Sequence, residues 1–140
     1  MANEFVRDVM TRSPRTLPVD ETVSVAARLM EAEDVGEIIV TEDRDICGVL
    51  TDRDIAIRAV AHGMNPVSTS VRDICSQDPI TVESGTSLNV AVQVMRDRAI
   101  RRLPVVDNGK VVGVVSIGDL AIERDPNSAL GQISAAPPNR

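Results

Sequence analysis

The sequence predicts a mixed α/β (α+β) fold built from two copies of one β-α-β-β-α unit. The 140-residue chain matches itself at an offset of 65 positions, which places residues 6–56 over residues 71–121 without a gap. Each copy has an apolar stripe at helical spacing, followed by two β-rich runs around a polar turn. One such unit buries too little surface alone, so we expect the two repeats to pack sheet to sheet with pseudo-twofold symmetry.

The elements follow in the same order in both copies. A short helical turn leads into an extended stretch with proline, at residues 14–18 and again at residues 79–82. Polar residues at 20–22 and 84–87 stand where helix N-caps belong. The predicted apolar stripes are Val23, Ala26, Ala27 and Met30 in the first copy, and Leu88, Ala91, Val92, Met95 and Ala99 in the second.

Two predicted hairpins complete the units. Their strands lie at residues 38–41 and 46–50, and at 103–106 and 111–115. A closing helix begins near Asp52 and near Ile117. We therefore divide the chain into repeat 1 at residues 6–62, a linker at 63–70, repeat 2 at 71–124 and a flexible C-terminal tail at 125–140.

Composition argues against nucleic-acid and membrane partners. The net charge is -6, and Phe5 is the single aromatic residue. Nucleic-acid affinity comes from basic residues that neutralise phosphates and from aromatic rings that stack on bases. No stretch is long and apolar enough for a membrane span or an export signal, so we expect a cytoplasmic protein.

No catalytic or metal site is predicted. Cys47 and Cys75 lack the dense spacing of a disulfide scaffold and are expected to be reduced thiols. With His62 they are too widely spaced for a zinc motif, and His62 itself is expected at a helix end. A single histidine supplies little general-base chemistry, and no P-loop is present.

One short motif occurs once in each repeat, after the predicted hairpin. It reads Gly-Val-Leu-Thr-Asp-Arg-Asp at residues 48–54 and Gly-Val-Val-Ser-Ile-Gly-Asp at residues 113–119. The pattern Gly, two hydrophobic residues, Thr or Ser, two variable residues and Asp resembles the signature of the CBS domain, which occurs in tandem as a Bateman module. The layout and the run at residues 100–105 are similar to small stand-alone two-CBS proteins of actinobacteria, some of them linked to hypoxic or stress responses.

The resemblance implies an adenosyl ligand in the cleft between two repeats. Asp54 and Asp119 would accept hydrogen bonds from a ribose, while Thr51 and Ser116 would meet phosphate at a helix N-terminus. Adenine would lie between aliphatic walls, its edge read by main-chain groups. The implied ligand-binding set is Thr16, Ile39, Thr51, Arg53, Asp54, Thr81, Arg102, Pro104, Ser116 and Asp119.

These residues also have simpler explanations. Asp54, Asp119 and the hydroxyl residues three positions before them are equally typical of helix N-termini, where they cap free N–H groups. Arg53 and Arg102 are candidate phosphate contacts or solvated surface charges. Both interpretations stay open at the level of the sequence.

The two repeats differ in charge. Residues 6–56 contain twelve acids and six arginines, whereas residues 71–121 contain six acids and six bases. Glu37 in the first repeat aligns with Arg102 in the second, and Ile39 stands where the second repeat has Pro104. We therefore expect a nucleotide to bind more tightly at the site with Asp119.

The leading hypothesis is a non-catalytic regulatory module, a homodimer that binds AMP, ADP, ATP or another adenosyl ligand and acts on an unidentified regulated protein. No cofactor is expected to be obligatory. One alternative is a ligand-free structural or interaction module of a stress response. Another is a redox or metal sensor that uses the two cysteines and the histidine.

Overall fold

The computed structural model describes residues 3–124 together with residues 131 and 133, and it divides the chain into two compact units. The first-repeat unit is Arg15–Pro79. The second-repeat unit combines the N-terminal segment through Pro14 with the chain from Ile80 onward. The predicted tail at residues 125–140 lies outside the described residues, apart from positions 131 and 133.

The first-repeat unit is a small sheet with helices. Strand β2 (Thr16–Pro18) pairs in parallel with β3 (Glu37–Glu42), which forms an antiparallel hairpin with β4 (Asp45–Thr51). β4 also pairs with β5 (Ser76–Gln77). Helix α2 (Val23–Glu33) connects β2 to β3, and α3 (Asp52–Asp54) continues directly into a π-helix at Ile55–Val60.

The second-repeat unit repeats this order. Strand β1 (Thr11–Arg12) pairs with β7 (Lys110–Ser116), which forms a hairpin with β6 (Arg102–Asp107). A single parallel bridge joins Val82 to Val105, where the first repeat has β2. Its helices are α4 (Leu88–Arg98) and α5 (Ile117–Arg124).

The opening helix of each sequence repeat lies in the unit of the other repeat. Helix α1 (Val6–Val9) opens repeat 1, yet the fully buried Val6 belongs to the core formed by Leu88, Leu103 and Val115. The matching 3₁₀ helix at Val71–Asp73 contributes Val71 to the core of the first-repeat unit. The compact units therefore do not follow the limits of the sequence repeats.

The predicted caps form as expected. Thr22 Oγ1 accepts a hydrogen bond from Val25 N at 3.3 Å, and Ser87 Oγ accepts one from Val90 N at 3.2 Å. Both helices end at a residue in the left-handed conformation, Asp34 with φ 56° and Ala99 with φ 55°. Helices α2 and α4 therefore begin and end in the same way, and each is 11 residues long.

The apolar stripes were predicted too wide. Met30 and Met95 are buried, with 7% and 4% of their surface exposed, as the stripe requires. Ala27, Val92 and Ala99 are exposed instead. A helix on one face of a small sheet buries a narrow row of residues, so the flank of each stripe stays accessible.

Side-chain hydrogen bonds hold the loops of each unit. Arg72 Nη2 lies 2.7 Å from Glu42 Oε2 and 3.1 Å from Asp20 Oδ1, which ties the segment after the linker to the first-repeat unit. In the second-repeat unit, Ser84 donates its hydroxyl to Asp107 Oδ2 at 2.6 Å and its backbone N–H to Asp107 Oδ1 at 3.0 Å. These bonds lower the pKa of Asp107 below its ordinary value.

Candidate functional site

Each duplicated motif ends in a reciprocal capping box. In the first repeat, Asp54 N donates to Thr51 Oγ1 at 3.0 Å, and Thr51 N donates to Asp54 Oδ2 at 2.9 Å. In the second repeat, Asp119 N donates to Ser116 Oγ at 3.1 Å, and Ser116 N donates to Asp119 Oδ2 at 2.9 Å. Both pairs therefore start the helix that follows the hairpin.

The glycine that opens each motif is required by close packing of a neighbouring strand. A Cβ on Gly48 would collide with the backbone carbonyl of Ser76. A Cβ on Gly113 would lie 2.5 Å from Met10 Sδ and 2.9 Å from the carbonyl oxygen of Thr11. Gly48 pairs with β5 and Gly113 with β1, so a side chain at either position would push an adjacent strand away.

The two motif carboxylates differ in their surroundings. Asp54 Oδ1 lies 3.7 Å from Arg58 Nε, and Arg58 Nη1 also donates to the carbonyl of Ile74 at 3.1 Å. Asp119 has no ion-pair partner among the described residues. In both residues Oδ2 is used in the cap and Oδ1 is not. Oδ1 of Asp54 is paired with Arg58, whereas Oδ1 of Asp119 is left for a ligand.

Around Asp119 the second-repeat unit forms a pocket of about 350 Å³. Two exposed arginines, a hydroxyl, a glycine, a carboxylate and two isoleucines line it: Arg101, Arg102, Ser116, Ile117, Gly118, Asp119 and Ile122. Three of the predicted site residues, Arg102, Ser116 and Asp119, therefore share one cavity. This cavity combines groups that bind anions with a carboxylate that accepts hydrogen bonds.

The sequence did not single out Arg101 and Gly118 as site residues. Arg101 aligns with Gly36 of the first repeat, and Gly118 aligns with Arg53. These differences between the two repeats are the sequence feature that could have pointed to both positions. The backbone N–H of Ile117 donates to the carbonyl of Arg101 at 2.8 Å, which holds Arg101 against the start of α5. That contact joins residues distant in sequence, so only the fold brings Arg101 to the pocket.

The predicted adenine contacts lie in the extended segments of each unit. Thr16 is exposed on β2, and its register partner Ile39 is buried in the middle of the sheet. In the second-repeat unit, the carbonyl of Pro104 accepts a hydrogen bond from Val82 N at 3.1 Å, next to the partly buried Thr81. The Pro104 carbonyl is thus part of the sheet, while Thr16 and Thr81 remain accessible.

A second cavity of about 570 Å³ lies between α4 and α5. Its lining is mostly apolar and includes Val92, Met95, Ile100, Ile117 and Leu120. Val92 and Ile117 are 38% and 41% exposed. This groove is therefore an apolar surface distinct in chemistry from the arginine-lined pocket.

The three residues considered for metal binding do not form a cluster. Within the described residues, no group of three or more His, Cys, Asp and Glu side chains is placed to hold a metal ion. Cys47 and Cys75 are both free thiols, and His62 is exposed. Burial, and to a smaller extent the neighbouring Cys47, raises the pKa of the Cys75 thiol.

No helix in the part of the chain that the structure describes is both long and apolar enough to cross a bilayer.

The sequence profile of the CBS domain matches residues 6–60 and 71–124, which together are most of the chain. The chain belongs to the CBS-domain family. The two matches bracket the two copies of the glycine motif, so the duplicated unit found in the sequence is a tandem CBS pair. The mixed α+β fold of the two units agrees with this assignment.

Relatives of this tandem CBS chain include short bacterial proteins. It is 40% identical over 126 residues to the CBS domain-containing protein YhcV of Bacillus subtilis, covering 90% of this chain and 89% of that protein. It is 31% identical over 116 residues to hypoxic response protein 1 of Mycobacterium tuberculosis, covering 82% and 81%. The predicted similarity to hypoxic-response CBS proteins is confirmed.

Two solved CBS structures are informative. The crystal structure of hypoxic response protein I with two coordinated zinc ions has a TM-score of 0.77 and 30% identity, over 84% of this chain and 96% of that one. The crystal structure of CBSX2 in complex with AMP has a TM-score of 0.74 and 25% identity, over 85% and 94%.

Proposed function

We propose that this CBS pair is a non-catalytic sensor of an adenine nucleotide, with its principal site in the second-repeat unit. The observation that carries the proposal is the pocket in which Arg101, Arg102, Ser116 and Asp119 converge. The AMP complex of CBSX2 supports an adenosyl ligand for a chain with this fold. A nucleotide supplies the two kinds of group that the pocket can recognise, ribose hydroxyls and phosphate oxygens.

Asp119 would bind the ribose while it continues to cap α5. A carboxylate offers about four acceptor positions on its two oxygens, and the cap uses one of them on Oδ2. Oδ1 is then available to two neighbouring hydroxyls. Charge-assisted hydrogen bonds of this kind are stronger than neutral ones, so the ribose would be a major contributor to affinity.

Ser116 and the arginines would face the phosphate. The first N–H groups of α5 are not all used within the helix, and an anion at this end also benefits from the helix dipole. Arg102 adds a guanidinium that can form a paired hydrogen bond with phosphate oxygens. Arg53, at the position of Gly118, would be the corresponding cation of the first repeat.

The site of the first repeat would be weaker for a phosphate ligand. Glu37 replaces Arg102, and Asp54 is already paired with Arg58. Asp52 replaces Ile117 and adds another carboxylate. A phosphate there would meet repulsion from side chains that are neutral or cationic in the second repeat.

Isothermal titration calorimetry of the purified chain with AMP, ADP and ATP, preceded by a thermal-shift screen, tests the proposal. A ligand at about 100 times its Kd adds about 2.7 kcal/mol of stability, enough to raise Tm by several degrees. Adenosine with inorganic phosphate is the control for recognition of the separate parts. The absence of heat and of a Tm shift at millimolar nucleotide would reject nucleotide sensing.

The capping boxes favour one alternative function, a ligand-free module whose motif only starts helices. In that case the chain would serve protein interaction in a stress response, in keeping with its similarity to a hypoxic response protein. Calorimetry separates the two functions, because a ligand-free module would release no heat when it is mixed with nucleotide.

Zinc sensing has less support. Hypoxic response protein I coordinates two zinc ions in its crystal structure, but the described residues of this chain offer no cluster of ligands for a metal.

We also propose that the chain forms a homodimer through the groove between α4 and α5, and that it acts in the cytoplasm on an unidentified regulated protein. The exposed apolar residues of the groove, Val92 and Ile117, are suited to a second copy of the same surface. Val92→Glu should reduce the mass measured by sedimentation equilibrium from dimer to monomer. Gln93→Glu, exposed on the same helix outside the groove, is the control. A monomeric wild type, or equal effects of both changes, would reject this interface.

A further inference from the structure

We infer that the second-repeat pocket distinguishes adenine nucleotides by the number of their phosphoryl groups, with Arg101 and Arg102 favouring a di- or triphosphate over a monophosphate. This inference rests on the proposed function, because it concerns the ligand class of the same pocket. It adds Arg101, a residue for which the motif assigns no role, as a determinant of specificity.

The first observation is the unbalanced charge of the pocket. The chain has 21 acidic and 15 basic residues, yet two adjacent arginines line this cavity together with a single carboxylate, Asp119. Neither guanidinium makes an ion pair or hydrogen bond with the described residues. By contrast, Arg15 and Arg72 each pair with a carboxylate of their own unit.

The second observation is that both arginines are attached to rigid parts of the unit. Arg102 is the first residue of β6 and pairs in register with Ser116 of β7. The Arg101 carbonyl accepts the N–H of Ile117, so its backbone is held against the start of α5. The backbone of both arginines is therefore fixed beside the pocket that Ser116 lines, and both side chains extend from it without a ligand.

These positions lead to a dependence on phosphate number. One guanidinium is enough to form paired hydrogen bonds with one phosphoryl group. A ligand with a further phosphoryl group gives the second guanidinium an anionic partner of its own, whereas in a monophosphate both guanidiniums share one phosphoryl group. Gly36 and Glu37 occupy the equivalent positions of the first repeat, so no such preference is expected there.

Calorimetric titrations with AMP, ADP and ATP in metal-free buffer test this. ATP should bind about tenfold more tightly than AMP, the effect of one additional hydrogen-bonded charge pair. Arg101→Gln and Arg102→Gln should each reduce the ratio of ATP to AMP affinity, and the double variant should bring it close to one. The ratio should also fall as salt is raised, because the added interaction is between solvent-accessible charges.

Arg98→Gln is the matched control, because Arg98 is an exposed arginine of α4 outside the pocket and its loss changes the net charge equally. It should leave the affinity ratio unchanged. Equal affinities for AMP and ATP in the wild type, or an equal loss of selectivity in Arg98→Gln, would overturn the inference while nucleotide sensing stands. If none of the three nucleotides binds, the proposed function fails and this inference fails with it.

Discussion

Replacing the motif aspartates separates their structural role from their role in binding. Asp54 and Asp119 make the same pair of capping hydrogen bonds, with all four distances between 2.9 and 3.1 Å. Loss of a capping side chain costs about 1 kcal/mol, and loss of a carboxylate near a helix N-terminus costs up to about 1 kcal/mol more. Both Asp54→Ala and Asp119→Ala should therefore reduce the free energy of unfolding by about 1 to 2 kcal/mol, or roughly 3 to 6 °C in Tm.

Binding should respond differently. If Asp119 binds the ribose as proposed, Asp119→Ala removes two charge-assisted hydrogen bonds and should weaken nucleotide affinity by about 100-fold, or about 2.7 kcal/mol. In Asp54→Ala, most of the heat of nucleotide binding should remain, because the carboxylate of Asp54 is already paired with Arg58 in the free protein. Urea unfolding measures the first effect, and calorimetry well below the Tm of each variant measures the second.

Asp119→Asn tests whether the two roles of the carboxylate are separable. The amide oxygen can still accept the N–H of Ser116, so most of the stability should be retained. The negative charge proposed to bind the ribose is lost, so nucleotide affinity should fall. Unchanged nucleotide affinity in Asp119→Ala would show that this residue only caps the helix. A larger binding loss in Asp54→Ala than in Asp119→Ala would refute the argument that local charge ranks the two sites.

Three further predictions concern the fold and its titratable groups. Gly48→Ala should destabilise the protein by about 3 kcal/mol and Gly113→Ala by about 2 kcal/mol in urea unfolding, because the new methyl meets a strand carbonyl in both cases. The carbonyl of Ser76 approaches Gly48 more closely than the carbonyl of Thr11 approaches Gly113, where the other close neighbour is the movable side chain of Met10. The reverse order would contradict this. Hydrogen bonds from Ser84 hold the folded-state pKa of Asp107 below its ordinary value of 3.8. The ionised carboxylate therefore stabilises the fold above that pH, and this stabilisation is lost as the pH falls through the lower folded-state pKa. Asp107→Asn should consequently lose less stability on acidification than the wild type, and an identical acid profile would count against the interaction. Cys75 is buried and its thiol pKa is raised, so little reactive thiolate is accessible at neutral pH. Peptide mapping after iodoacetamide treatment should therefore find Cys47 alkylated well before Cys75. Equal rates of alkylation would show that the core opens on the timescale of the reaction.

Local patterns in the sequence were sufficient for the order of the main helices and the hairpins, but they missed the two-residue strands β1 and β5, and the strand expected at residues 79–82 is a single bridge. The helix boundaries depend on caps such as Thr22 and Ser87, and the hairpins depend on alternating β-rich residues around short turns, all within a few positions along the chain. The duplication then doubled each local signal. For the same reason the motif residues Thr51 and Asp54 were correctly expected at a helix start, whichever function they also have.

The apolar stripes show where a local pattern stops being informative. Periodicity identifies a helix face but not how much of that face a neighbour covers. Val92 has the spacing of a core residue and is nevertheless 38% exposed in the groove between α4 and α5. Its burial depends on the position of another element, which helical spacing does not encode.

The sequence by itself determined the repeat, its elements and the positions of the motif carboxylates, because these depend on residues that are close along the chain. Tertiary structure alone decided that the opening helix with Val6 belongs to the second-repeat unit, that Arg58 engages Asp54, and that Arg101 joins Ser116 and Asp119 in one pocket. Packing and charge pairing depend on distances in space. Such distances follow from the way the whole chain buries its apolar surface, which a one-dimensional pattern specifies only in part.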